Sequence, residues 1–177
     1  KYVPLNAKNT AYRAAKNFHE CLKIDDGIII SIEKHIPRRA GLGGGSADAA
    51  AVLHAMNQLY AARLDNTQLI EIARMIGSDV PFCIIGGTAL CSGKGEIVLP
   101  LNSMPDCSIL ICKPPIGIST PKAYSIVDKF PSQRNLSAER MEKALETGNL
   151  RQIANCLYNR FDDVLKFSNK ALIKKTM

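Results

Sequence analysis

A chain of 177 residues, 46% of them hydrophobic and 22% charged, is long enough for one good core or two small ones and reads as an ordinary soluble globular protein. No apolar run approaches the roughly 18 residues of a membrane span, and no basic-then-apolar leader opens the sequence. The net charge of +7 admits anionic partners, but the basic residues are scattered, aromatics make up only 6%, and the one cluster (Lys166, Lys170, Lys174, Lys175) fits a solvated helix face, so neither nucleic acid nor membrane is expected as a partner.

From Asn9 to Leu22, Tyr12, Ala15, Phe18, Cys21 and Leu22 recur at helical spacing, with Asn9 placed as a cap. Gly27 to Ile36 sets Ile28, Ile30 and Ile32 at period two, a strand with one buried face; Lys34 near its end is of the commonly exposed kind. Next comes Pro37-Arg38-Arg39-Ala40-Gly41-Leu42-Gly43-Gly44-Gly45-Ser46-Ala47, then a helix whose face is Ala49, Val52, Leu53, Met56, Leu59 and Tyr60. The element is strand, glycine loop, helix.

Glycines let backbone N–H groups approach a bulky ligand closely, and Ser46 is the expected N-cap. The free N–H groups and the positive end of the helix would face the loop's occupant, for which a phosphate is suited; a glycine-rich turn without ligand is the alternative. Two better-known phosphate motifs do not fit. A GxxxxGK[ST] loop needs lysine after its last glycine, where Ser46 stands, and Ser46 also occupies the third-glycine position of a dinucleotide fingerprint.

Asp65, Asn66 and Thr67 supply cap chemistry for a helix through Leu69, Ile70, Ile72, Ala73 and Ile76, ended by Gly77. In Gly77-Ser78-Asp79-Val80-Pro81-Phe82 the aspartate sits at an element junction, drawn towards the interior; taken alone it reads as a cap or turn residue. Cys83–Cys91 and Glu96–Leu99 form a hairpin about Ser92-Gly93-Lys94-Gly95, a tip rather than a second phosphate loop because no helix follows. The change of texture at Leu101–Asp106 divides the chain into domains 1–101 and 102–177.

Cys107–Cys112 reads as a buried strand, followed by a loop stiffened by Pro114, Pro115 and Pro121. Helices are expected over Ser137–Thr147 (closed by Gly148), over Asn149–Tyr158 and from about Ser168. The six cysteines form no C-x-x-C pair and read as buried free thiols of a reducing cytoplasm. His19, His35 and His54 are unclustered, and the adjacent Asp162 and Asp163 point to different sides of a helix, so no metal centre or Ser-His-Asp site is expected.

Pro-x-x-x-Gly-Leu-Gly-Gly-Gly-Ser-Ala resembles the second signature of the galactokinase, homoserine kinase, mevalonate kinase and phosphomevalonate kinase (GHMP) superfamily. Within it, Gly-Ser-Asp-Val-Pro-Phe, whose Asp79 falls 33 residues after Ser46, resembles the segment of the kinases acting on 4-diphosphocytidyl-2-C-methyl-D-erythritol in the non-mevalonate isoprenoid pathway. The resemblance implies an α+β, two-domain kinase fold and transfer of the γ-phosphoryl group of ATP, with magnesium, to that substrate's 2-hydroxyl. By the same resemblance Pro37 to Ala47 wrap the ATP phosphates, Asn9 and Lys34 approach the nucleotide, and Asp79 takes the hydroxyl proton. Thr120 and Tyr124 inherit the cytidine pocket from a Pro-Gly-x-x-x-x-Thr-x-x-x-Phe/Tyr loop, although Pro115 replaces its glycine. A sister kinase and a non-catalytic nucleotide- or sugar-binding module are the alternatives. The start at Lys1 and the end inside a running helical pattern imply an incomplete chain, as does the lack of the family's earlier catalytic-lysine segment and later third signature.

Overall fold

A computed structural model describes residues 3–37, 40–111, 124, 125, 127, 129 and 138–161. The elements in chain order are α1 (Thr10–Leu22), α2 (Gly44–Leu59), α3 (Asn66–Arg74), α4 (Val80–Ile85), β1 (Ala89–Ser92), β2 (Ile97–Pro100), α5 (Ala138–Thr147) and α6 (Leu150–Cys156). The chain divides into two units, one of residues 1–37 and 42–101 and one of 38–41 and 102–177.

Small and branched residues build the core of the first unit. Ala11, Ala14, Ala15 and Phe18 form the buried face of α1, and Ala49, Ala50, Leu53 and Met56 that of α2, so the alanines let the two helices approach closely around Phe18 and Leu53. Leu69, Ile72 and Ala73 of α3 and Ile76 just beyond its end close this core, with Val80 and Ile84 from α4. Burying a side chain such as Leu53 or Phe18 is worth about 1.5–3 kcal/mol, so this cluster dominates the unit's stability. The expected α1 and α2 faces shift at their edges, since Tyr12, Cys21 and Leu59 are exposed.

Local chemistry sets the boundaries. The Asn9 side chain accepts from the Ala11 N–H at 3.0 Å and caps α1. Asp65 and Gln68 form a capping box on α3, each side chain bonding the other's backbone N–H, and Asn149 caps α6. Arg13 donates to the Met75 carbonyl at 2.7 Å, so a cation from α1 closes the C-terminal end of α3.

Four sequence expectations fail in physically informative ways. Gly27–Ile36 keeps strand-like alternation, with Ile28, Ile30, Ile32 and Lys34 half-buried and their neighbours exposed, yet it is paired into no sheet with a described residue. Cys83–Ile85, expected in the hairpin, belongs to α4, where Pro81 in the first turn favours a helix start; Gly86, at φ 70° and ψ −163°, ends it. The antiparallel hairpin is therefore shorter, with Ala89 opposite Pro100 and Ser92 opposite Ile97. The expected strand from Cys107 pairs with no described residue over 107–111, where Ile109, Leu110 and Ile111 are exposed.

The cysteines are the fourth case. Cys21, Cys83, Cys91, Cys107 and Cys156 are free as expected, but none is buried, because the runs that carry them either form helix edges or lack a covering layer. Cys112, Thr120, the proline loop, Asp162, Asp163 and the lysine cluster lie outside the described residues. Among the described residues no helix is long and apolar enough to cross a membrane.

In the second unit, α5 and α6 pack through Ala144, Leu145 and Ile153 across a turn at Gly148. Tyr124 stacks edge-on against Phe161 with ring centroids 5.1 Å apart.

Candidate active site

The glycine loop begins its helix three residues earlier than Ser46 would have set it. Gly43, at φ 64° and ψ 9°, is the N-cap of α2, and Ala47 donates to its carbonyl at 2.9 Å as the first intrahelical bond. Only a residue without Cβ adopts this left-handed conformation cheaply, so the sequence Leu42-Gly43-Gly44 places the turn before Ser46 is reached. Gly43 carries no side chain to accept from the first turn. The N–H groups of Gly44, Gly45 and Ser46 have no intrahelical acceptor by helix geometry and stand at the positive end of a 16-residue helix.

Two side chains hold that turn from behind. Thr10 Oγ1 donates to the Gly45 carbonyl at 2.6 Å, and Lys34 Nζ donates to the Gly44 carbonyl at 3.0 Å. Lys34 also donates to Asp48 Oδ2 at 2.5 Å, in an ion pair whose side chains are 17% and 23% exposed. Gly44 packs tightly against a neighbouring side chain: a Cβ built there would lie 2.8 Å from Ile36 Cγ2. Two of the loop's carbonyls are thus held by side chains while none of the described side chains bonds its first-turn amides, the arrangement a backbone anion cradle requires.

Asp79 occupies the N-cap position of α4 but makes no capping bond, and it is exposed rather than drawn inside, because Val80 and Pro81 fill the core at that junction. Its charge is felt across the hairpin. The Cys83 and Cys91 thiols are both raised above their ordinary pKa, first by partial burial and then by the Asp79 carboxylate. The hairpin tip closes over the same junction, since a Cβ on Gly95 would lie 3.0 Å from the Ser78 carbonyl. Glu96 folds back to accept from the Lys94 N–H at 2.6 Å, which lowers its pKa through its backbone hydrogen bonds.

The structure thus gathers Gly43, Gly44, Gly45, Ser46, Ala47, Lys34 and the helix carrying Asn9 around one helix end. Asn9 itself is engaged as a cap and donates to the Pro4 carbonyl at 3.0 Å. Arg38, Arg39 and Thr120 lie outside the described residues, and Tyr124 is 54% exposed in the second unit. Thr10 and Asp48 were missed by sequence reasoning: Thr10 was hidden behind its capping neighbour, and Asp48 had as its only signal an acidic residue near a helix start. A shallow groove of about 600 Å³ along α1 and Ile24–Ile30 contains none of the loop residues and no Asp79.

Comparison with known proteins places this geometry. The family model for the N-terminal domain of GHMP kinases matches residues 9–87, the span from the α1 cap through α4. The chain is 46% identical over 157 residues to a protein of Caldicellulosiruptor bescii named 4-diphosphocytidyl-2-C-methyl-D-erythritol kinase, covering 89% of this chain and 55% of that relative. It is 42% identical to a Clostridium acetobutylicum protein of the same name, covering 96% of this chain and 61% of the relative. A crystal structure of 4-(cytidine 5'-diphospho)-2C-methyl-D-erythritol kinase superposes with a TM-score of 0.70 at 32% identity, covering 98% of this chain and 62% of that one. The chain spans a little over half the length of these relatives. With an uncapped glycine turn at its centre and an α+β fold like that of the solved kinase, the stretch 9–87 of this chain is a GHMP kinase N-terminal domain.

Proposed function

We propose that the protein is a small-molecule kinase that transfers the γ-phosphoryl group of ATP, with magnesium, to the 2-hydroxyl of 4-diphosphocytidyl-2-C-methyl-D-erythritol in non-mevalonate isoprenoid synthesis. The observation that carries this reading is the first turn of α2, whose amides point away from carbonyls anchored by Thr10 and Lys34. The relatives' shared name supports the choice of acceptor, and the cytoplasm is the compartment that suits such an enzyme.

In this reading the residues from Pro37 to Ala47 hold the phosphates, with Asn9 at the near end of α1. Asp79 accepts the proton of the attacking hydroxyl as the oxygen bonds to phosphorus and the bond to ADP breaks, leaving its electron pair on the ADP oxygen. Magnesium, when bound, neutralises phosphate charge; it is commonly held by the phosphates with one or two carboxylates. Thr120 and Tyr124 grip the cytidine, and residues 1–101 and 102–177 act as the nucleotide and substrate domains. Phosphoryl transfer is mostly positioning and charge stabilisation, which a fixed backbone cradle supplies.

The test is turnover by the intact protein supplied with ATP, magnesium and the diphosphocytidyl alcohol, followed by phosphorus magnetic resonance of the product. A new phosphomonoester at the 2-position is expected. No ATP consumption with that substrate, alongside turnover of homoserine or mevalonate, overturns the choice of acceptor.

A further inference from the structure

Lys34 sits beside the glycine loop, where a lysine is readily taken for a phosphate ligand, but its ammonium is committed elsewhere. It donates to Asp48 Oδ2 at 2.5 Å and to the Gly44 carbonyl at 3.0 Å, with only 17% of its side chain exposed. Asp48 lies four residues into α2, about 6 Å along the axis from Gly44. A carboxylate so near the helix start favours the helix dipole but repels any anion bound at the first turn. We infer that Lys34 is a positioning residue that cancels the charge of Asp48 and pins the Gly44 carbonyl, so that the cradle's field on a bound phosphate comes from the amides and the helix dipole.

This inference rests on the nucleotide reading above and makes a prediction that direct phosphate contact does not. If Lys34 touched phosphate, its loss would weaken binding whatever stood at position 48. If it serves as counter-ion, removing Asp48 as well removes the reason for it.

Affinity for a non-hydrolysable ATP analogue, measured by calorimetry on the intact protein at low salt, separates the two. Lys34→Met should weaken binding by roughly tenfold, the effect of one uncompensated charge. Asp48→Asn should tighten it, and the double variant should return to within about twofold of the unsubstituted protein. A double variant as weak as Lys34→Met overturns the inference. Should Lys34→Met fail to fold, Lys34→Gln takes its place in the same comparison, a double variant with Asp48→Asn that recovers the unsubstituted affinity upholding the counter-ion role and one as weak as Lys34→Gln overturning it. An unsubstituted protein that binds no nucleotide sinks the kinase reading instead; inorganic triphosphate then serves as the probe, with the same order of affinities upholding the role of Lys34 and any other order overturning it.

Discussion

Replacing Gly44 by alanine sets two well-characterised effects against each other. Gly44 lies in the first turn of α2 with no positive φ, so alanine should gain up to about 1 kcal/mol of helix propensity and unfolded-state entropy. The new Cβ, however, would lie 2.8 Å from Ile36 Cγ2, 3.1 Å from Ile36 Cβ and 3.4 Å from Lys34 Nζ. Both Ile36 atoms sit next to the backbone of a β-branched residue that cannot rotate away, so the segment itself must shift. Overpacking of this kind costs about 1–3 kcal/mol, which exceeds the propensity gain and predicts a net loss of roughly 1 kcal/mol. In a protein of this size that is a fall of about 2–4 °C in melting temperature. Ile36→Ala removes the nearest atom, so Gly44→Ala made in that background should cost less than half as much, a coupling that a double-mutant cycle of thermal melts reads directly. A stabilising Gly44→Ala, or an equal loss in both backgrounds, would refute the close-approach argument.

Three further variants test the site. In Gly43→Val the new Cβ meets no atom within 4 Å but a β-branched residue is forced to φ 64°, so the variant should leave a folded protein whose nucleotide binding, followed by calorimetry, is abolished. Asp79→Asn should lower kcat about 10²–10⁴-fold with little change in KM, and full activity would remove Asp79 from the mechanism. The same substitution removes a charge that raises the Cys91 thiol, so alkylation of exposed Cys91 at mildly alkaline pH, read site by site by mass spectrometry, should quicken; an unchanged rate would mean that the carboxylate does not act on that thiol. Tyr124→Ala should weaken the diphosphocytidyl substrate by roughly 1–3 kcal/mol while sparing ATP, whereas equal losses for both would assign Tyr124 to packing against Phe161.

Sequence was most informative where a few neighbouring residues decide the outcome. Asn9 and the Asp65–Gln68 box mark their helix starts by chemistry confined to one turn, and four glycines in five residues announce the loop. The N-cap itself was misplaced because serine's capping preference is weaker than the consequence of the three glycines preceding it, the first of which takes the left-handed turn. Strands were the poorest readings, since alternation records which side is covered, as at Ile28–Lys34, but says nothing of a hydrogen-bonding neighbour. Asp79 was expected inside because Val-Pro-Phe follows it; periodicity alone does not show that Val80 and Pro81 turn into a helix and leave the aspartate at its mouth.

The bond from Thr10 to Gly45 spans 35 positions of sequence and alters how the end of α2 opens. Terminal turns of helices ordinarily fray at almost no cost, and their amides exchange with solvent first. Here the last carbonyl to be released is held by another helix, so unravelling of the glycine turn requires α1 to let go, and the two helix starts should open as one cooperative step. Hydrogen-exchange protection at Ala49, whose N–H meets the Gly45 carbonyl by helix geometry, would then follow that of the buried α1–α2 contact rather than that of a free helix end.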